Sequence, residues 1–388
     1  MKKKIILVVL SFVMALTMVT GCTTKNDQPG STTGATSANA NTSTIKAIAK
    51  DKLKIGVVYI GPATDGGYTT THDTGIKKMA TNVGLKENQV VFKESIPEDA
   101  TCKDTIENLI DDGCNIIIGT SFGYGQYMDA LAKENPTVIF MHCSGSFKNA
   151  INFSNYFGHI EQAMFLTGIA AGMKTVTNKI GYVVAQSYPE CIRNVNAFTL
   201  GVQSVKPEAV VKVIFTNTWY DPTKEKQTAE TLLADGCDVL AQHQDTAATQ
   251  IAANDAKVWS IGYNMDMSAV AVDANLTSAV WDWSVYYTAK INDIIAGTWK
   301  ANESYWTGLE TGVVGIAPLT KNAAVGTQAK IDEYKAKIID GTFNVFGNRE
   351  ILDQDGNVKV KADTKLTDAD LLAMTWFVKG IEGTIPKS

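Results

Sequence analysis

Apolar and polar positions along this chain fall into short apolar runs separated by helical stripes. Residues 53–60 form a near-continuous apolar run of strand length, stopped by Gly61-Pro62, which reads as a strand buried on both faces within a parallel sheet. Residues 64–71 supply a polar loop with Gly66, Gly67 and Tyr68, and Ile76, Met79, Ala80 and Val83 mark a helix closing at Gly84. The alternation repeats, with strands predicted at 90–93, 115–118 and 137–141 and helices at 101–111 and 127–133. Strands and helices at this spacing imply βαβ units with right-handed crossovers.

A second series begins after Gly158. A small-residue-rich helix at 159–174 precedes strands at 179–184, 210–216, 238–241 and 258–262, with helices at 190–205, 222–234 and 247–254 between them. Further strands at 276–280 and 312–316, helices at 283–297 and 322–340, and a hairpin at 351–361 turning on Asp355-Gly356 complete the chain. Two α/β lobes with later segments left over predict a chain that crosses between lobes more than once, making a hinge and a cleft. Asp353-Gln354-Asp355-Gly356-Asn357 lacks the glycine and glutamate positions of a calcium loop and reads as a turn.

Length changes this picture little: 388 residues suit two domains. The N-terminus changes it more. Lys2, Lys3 and Lys4 precede an apolar stretch at 5–19 and the run Val19-Thr20-Gly21-Cys22, which resembles a bacterial lipobox. The expectation is a signal peptide at 1–21, lipidation at Cys22 and a disordered Thr/Ser/Asn-rich tether through residue 50. The formal charge is −5, and removing the three leader lysines takes it to −8, which gives no sign of nucleic-acid binding. Cys102, Cys114, Cys143, Cys191 and Cys237 form neither a metal motif nor a compact disulfide framework, although Cys102 and Cys114 could pair across one helix.

In open α/β sheets a ligand sits outside the carboxyl ends of the strands. The residues expected there are Asp65, Tyr68 and His72; Ser121, Phe122 and Tyr124; Ser187 and Tyr188; Trp219; Gln242 to Asp245; Asn264 and Asp266; and Trp281 and Trp283. Aromatic faces with carboxylates and amides suit a planar polar ring such as a nucleobase, and a sugar needs similar groups, so composition does not separate the two. Each has a plainer reading: Asp65 as a cap of its own turn, and the tryptophans as packing between lobes. No nucleophile elbow, Walker loop, zinc spacing or β-lactamase motif is present, which favours binding over catalysis.

The lipobox, the run from Tyr59 to Asp73, Asn155-Tyr156-Phe157-Gly158, Thr216-Asn217-Thr218-Trp219-Tyr220-Asp221-Pro222 and Gln242-His243-Gln244-Asp245 together resemble the basic membrane protein (BMP) family. Its members are substrate-binding lipoproteins of ABC importers for purine nucleosides and related compounds. The resemblance implies an α/β, type I periplasmic-binding fold with two Rossmann-like lobes joined by three hinge strands, here 51–157 plus 281–318 and 158–280 plus 319–388. It implies a monomer that needs no cofactor or metal, is anchored to the membrane by lipid and docks on an ABC permease. It further implies a purine held between aromatics. Asp266 matches the family's ribose-binding acid, whereas Trp281 stands where a lysine is usual and His243-Gln244-Asp245-Thr246 replaces a glycine-rich turn. A tryptophan there suits a ligand ending at the base, so the expected ligand is a purine nucleobase such as adenine, with a nucleoside as the alternative. Asp245 or Asp266 would accept from the base, and Tyr68, Phe122 and Trp281 would stack. A sensor subunit and an exported nucleoside-cleaving enzyme using Asp65 and Asp245 are the other readings.

Overall fold

The computed structural model describes residues 46–387. The leader, Cys22 and the tether up to residue 45 lie outside the described residues. Its first part runs β1 (Ile55–Val58), α1 (Tyr68–Val83), β2 (Val90–Lys93), α2 (Ala100–Asp111), β3 (Ile116–Gly119), α3 (Gly125–Glu134), β4 (Ile139–Cys143) and β5 (Phe153–Gly158). There follow α4 (Ile160–Lys174), β6 (Lys179–Val184), α5 (Pro189–Gln203), β7 (Val210–Phe215), α6 (Pro222–Ala234), β8 (Val239–His243), α7 (Ala248–Asp255), β9 (Trp259–Asn264) and β10 (Asn275–Trp281). The last part is α8 (Trp283–Ala296), β11 (Ser304–Thr307), β12 (Val314–Ile316), α9 (Thr327–Ile339), β13 (Ile351–Leu352), β14 (Val358–Val360), α10 (Asp368–Leu372) and β15 (Ile381–Glu382).

These strands make two large sheets, ordered β11-β5-β4-β3-β1-β2 and β12-β10-β9-β8-β6-β7-β15. Within these two sheets every pairing is parallel except β10 with β12, and β13 pairs antiparallel with β14 in a separate two-stranded sheet. In the first sheet β1 lies between β2 and β3, and all four of its residues are buried, as its continuous apolar run requires. The chain passes between sheets after β5, after β10 and after β11. Val314–Ile316 pairs with β10 in the second sheet, which corrects the expectation that the first lobe extends to residue 318. Its pairing decides this: Val280 opposes Gly315 and Trp281 opposes Val314.

Residues 46–50 also depart from expectation. The sequence pattern places them in the tether, yet Ile48 is half-buried against the core and its amide donates to the Ile294 carbonyl at 3.3 Å. The five described cysteines are buried and free, so Cys102 and Cys114 are not paired. Among the described residues no helix is long and apolar enough to cross a membrane.

The helices α4 and α5 carry the second lobe's core, and glycines set their distance. A side chain at Gly168 would stand 2.1 Å from the Phe198 carbonyl oxygen and one at Gly201 would stand 2.0 Å from that of Phe165. Backbone therefore packs on backbone, which fixes α5 and the loop at its N-terminus. The C-terminal stretch is tied to the same helix. Arg193 Nη1 donates to the Leu371 carbonyl (2.9 Å), Asn196 Nδ2 donates to Trp376 (2.8 Å) and Asn196 Oδ1 accepts from the Val378 amide (2.9 Å).

Candidate functional site

Between the carboxyl ends of the two sets of strands lies a narrow cavity of about 20 Å³, well below the roughly 300–1,000 Å³ of small-molecule sites, so its walls must part to admit a ligand. From the first lobe it is lined by Ile60, Tyr68, Ser121, Phe122 and Ser144, and from the second by Glu190, Trp219, His243, Asp245 and Tyr263. The loop after β1 sets the Tyr68 side. Asp65 accepts the amides of Gly67 (2.8 Å), Thr69 (2.7 Å) and Thr70 (3.0 Å) and the Thr70 hydroxyl (2.9 Å), which fastens the first turn of α1. Its carboxylate is consumed by this turn, so the structure gives Asp65 the capping role rather than a place on the cavity wall. Tyr68, the first residue of α1, donates its hydroxyl to the Thr120 carbonyl at 2.5 Å and presents its ring to the cavity.

The two lobes meet around this cavity. Phe122, in the short turn after β3, stacks on Tyr188 at the head of α5, with centroids 4.7 Å apart and planes at 23°. Trp219 lies 5.8 Å from Tyr188 on the second-lobe side. Gly67 faces the Asp245 carbonyl so closely that a Cβ there would stand 2.3 Å from the oxygen. Thr71 donates its hydroxyl to the Asn264 carbonyl at 3.3 Å. These contacts describe a closed cleft.

The polar wall is acidic. Asp245 is buried, and no described donor reaches its carboxyl group. Burial raises its pKa well above the carboxylate range, and the nearby charges of Asp65 and Glu225 add to this. Glu190 takes the Nε2 hydrogen of His243 on Oε1 at 3.0 Å, while its second oxygen has no described donor. Burial opposes the charged imidazole of His243, but Cys191 and Glu190 outweigh it and hold its pKa well above the ordinary range. Behind Asp245, Glu225 is fully buried, accepts from Thr246 (2.5 Å) and the Asp221 amide (3.1 Å), and is pushed by burial up to about 7.

Several expected residues lie elsewhere. Tyr124 is two residues beyond Phe122 in a 3₁₀ turn and points the other way. It is buried in the first-lobe core and donates its hydroxyl to the Ile96 carbonyl. Asp266 is exposed and accepts the Ser268 amide at 2.9 Å, because Asn264, with φ of 72°, turns the chain away from the cleft. Asn264 itself is a bridge: its Nδ2 donates to the Gln244 carbonyl at 3.1 Å while its own carbonyl holds Thr71. Trp281 does not line the cavity. It ends β10 at the crossing between lobes, stacked on Trp283 (4.3 Å, 12°) and 4.8 Å from Phe157. Trp283 stacks in turn on His72 (4.6 Å, 13°), whose Nδ1 meets the Tyr287 hydroxyl at 2.7 Å. Burial lowers the His72 pKa, so this imidazole is a neutral part of the hinge. Gln242 and Gln244 are likewise buried structural partners, of the Thr246 carbonyl and the Thr216 hydroxyl.

Phe122, Tyr68, Tyr188, Trp219 and Asp245 are thus brought together as the sequence suggests. Glu190 and Ser144 were missed. Glu190 follows Pro189 at a helix start, where an acidic residue is usual, and nothing local marks it as a cleft residue. Ser144 does carry a signal, the turn pair Ser144-Gly145 at the end of a strand, here with φ of 61° and 62°. Among the described residues, no group of His, Cys, Asp and Glu is arranged to hold a metal ion.

Residues 52–348 match a family described as ABC transporter substrate-binding protein, PnrA-like. A purine-binding protein of Brucella abortus is 35% identical over 341 residues, 88% of this chain and 96% of that protein. A Haloferax volcanii protein provisionally named as an ABC transporter glucose-binding protein is 31% identical over 359 residues, 92% of this chain and 88% of that one. Among solved structures, an ABC transporter solute-binding protein of Aeropyrum pernix superposes with a TM-score of 0.65 at 18% identity, covering 76% of this chain and 94% of that one. The fold is the type I periplasmic-binding architecture of two parallel-sheet lobes.

Proposed function

The chain belongs to the Bmp family of PnrA-like ABC transporter substrate-binding proteins, and on that premise we propose that it captures a purine nucleobase of the adenine type. It is a binding protein, not an enzyme. The observation that carries the ligand assignment is Asp245: a buried carboxyl with no described donor, on the wall of a small cavity between aromatic side chains of both lobes. A neutral carboxyl pairs with an aminopurine edge through two parallel hydrogen bonds, its O–H donating to the ring nitrogen and its carbonyl oxygen accepting from the amino N–H. Burial favours the neutral acid, which offers one donor and one acceptor side by side, the complement of a ring nitrogen next to an amino group. The free oxygen of Glu190 accepts a further N–H, and Tyr68, Phe122 and Trp219 supply stacking faces.

In this reading the protein works outside the cytoplasm, anchored through a lipid on Cys22, and its closed form delivers the base to an ABC permease. The small size of the cavity and the exposed position of Asp266 favour the base over its nucleoside. A melting-temperature screen against adenine, guanine, hypoxanthine, adenosine, ribose and glucose tests it, since a ligand of the native state raises the midpoint by mass action. Adenine is expected to give the largest shift. A shift with glucose alone would overturn the assignment.

A further inference from the structure

A second chamber opens beside the base cavity. It has a volume of about 180 Å³ and shares Phe122, Ser144 and Glu190 with the first cavity. Beyond these its wall is made largely of apolar side chains, Phe157, Tyr188, Pro189, Trp306 and Leu372. The one cation in its lining, Arg193, is paired with a buried carboxylate, although its Nη2 has no described acceptor. Its Nε meets Glu161 Oε2 at 3.2 Å, its Nη1 meets the Leu371 carbonyl, and its guanidinium lies 5.1 Å over the Trp306 ring. An anion such as a phosphate would have to compete with a buried carboxylate for that charge, so the chamber suits a neutral occupant.

Leu372 is the last residue of α10, in the C-terminal stretch beyond the residues matched by the family (52–348). That stretch is held in place by its bonds to Arg193 and Asn196 of α5. A wall of this chamber is therefore built by an element outside the family match.

We propose that the second chamber receives an apolar substituent on the exocyclic nitrogen of the bound base, so that the protein takes N-substituted aminopurines as well as the parent base. This rests on the purine reading above. A base seated in the first cavity reaches the chamber past Phe122, Ser144 and Glu190. A mono-substituted amine keeps one N–H for the Glu190 oxygen, and the substituent is buried against aromatic and aliphatic side chains.

Calorimetric titration of the full chain with adenine, N6-benzyladenine and adenosine tests the proposal. N6-benzyladenine is expected to bind within about tenfold of adenine. Leu372→Trp, on an exposed helix end, is expected to lower the N6-benzyladenine to adenine affinity ratio at least about tenfold, whereas Leu372→Ala keeps that ratio at or above the native value. Adenine binding with N6-benzyladenine rejected, or an unchanged ratio in Leu372→Trp, would overturn the chamber while leaving the base assignment standing. A Leu372→Trp effect on adenosine instead of N6-benzyladenine would assign the chamber to a sugar and overturn the proposal. Failure of adenine itself would overturn the purine reading beneath it.

Discussion

Phe122 and Tyr188 stack across the mouth of the cleft, with ring centroids 4.7 Å apart, one ring from each lobe. The contact joins closure to binding, because Phe122 also lines the cavity and Tyr188 heads α5. Such a pair contributes about 0.5–1.5 kcal/mol beyond its buried area. Phe122→Ala is therefore expected to weaken ligand binding about tenfold or more in a calorimetric titration. Because Phe122 is 39% exposed, the melting temperature of the unliganded protein should move by only a few degrees.

Gly67 allows a second, steric test. Its φ of −157° and ψ of −111° lie outside the extended region, so Gly67→Ala strains this loop as well as placing a methyl 2.3 Å from the Asp245 carbonyl. The two lobes can avoid this clash only by parting. Small-angle scattering should show a larger radius of gyration for Gly67→Ala in the presence of ligand, with affinity at least about tenfold weaker. A variant as compact as the native protein would show that closure does not bring these residues together.

Asp245 separates two classes of ligand. An amide also offers one donor beside one acceptor and is a known partner of the adenine edge, so Asp245→Asn should keep most of the adenine affinity. Asp245→Leu removes both groups and should cost about 1–3 kcal/mol, roughly five- to 150-fold. Equal losses in the two variants would show that a charged carboxylate, rather than a donor and acceptor pair, reads the ligand.

Glu225 makes stability depend on pH. Its pKa is about 7 in the folded protein against an ordinary 4.5, so between these values the native state holds more protons than the unfolded chain. Stability is expected to fall as pH rises through this window, by a total on the order of 3 kcal/mol from this group. Glu225→Gln should flatten the difference between melting curves at pH 5 and pH 8. An unchanged slope would locate the responsible groups elsewhere.

Much of this architecture is legible in the amino-acid sequence. β2, β6 and α6 begin and end where the apolar pattern places them, since their runs are bounded by turn or cap residues. β5 and β11 escape it. The six residues of β5 include Ser154 and Asn155, which break its apolar run although every position is buried, and the four of β11 form an edge strand that starts at an exposed serine. The site divides in the same way. Phe122 and Asp245 follow strand ends, which topology alone directs at the cleft. That Tyr124 turns inward, that Asp266 turns outward and that Trp281 joins the hinge stack depends on backbone angles and packing that no local pattern encodes.

The most direct test of the central claim is a calorimetric comparison of adenine with adenosine on the purified protein. A cavity that ends at the base predicts that adenine binds at least about a hundredfold more tightly, because the added ribose must be housed without the exposed Asp266. Adenosine binding as tightly as adenine, or more tightly, would contradict the account.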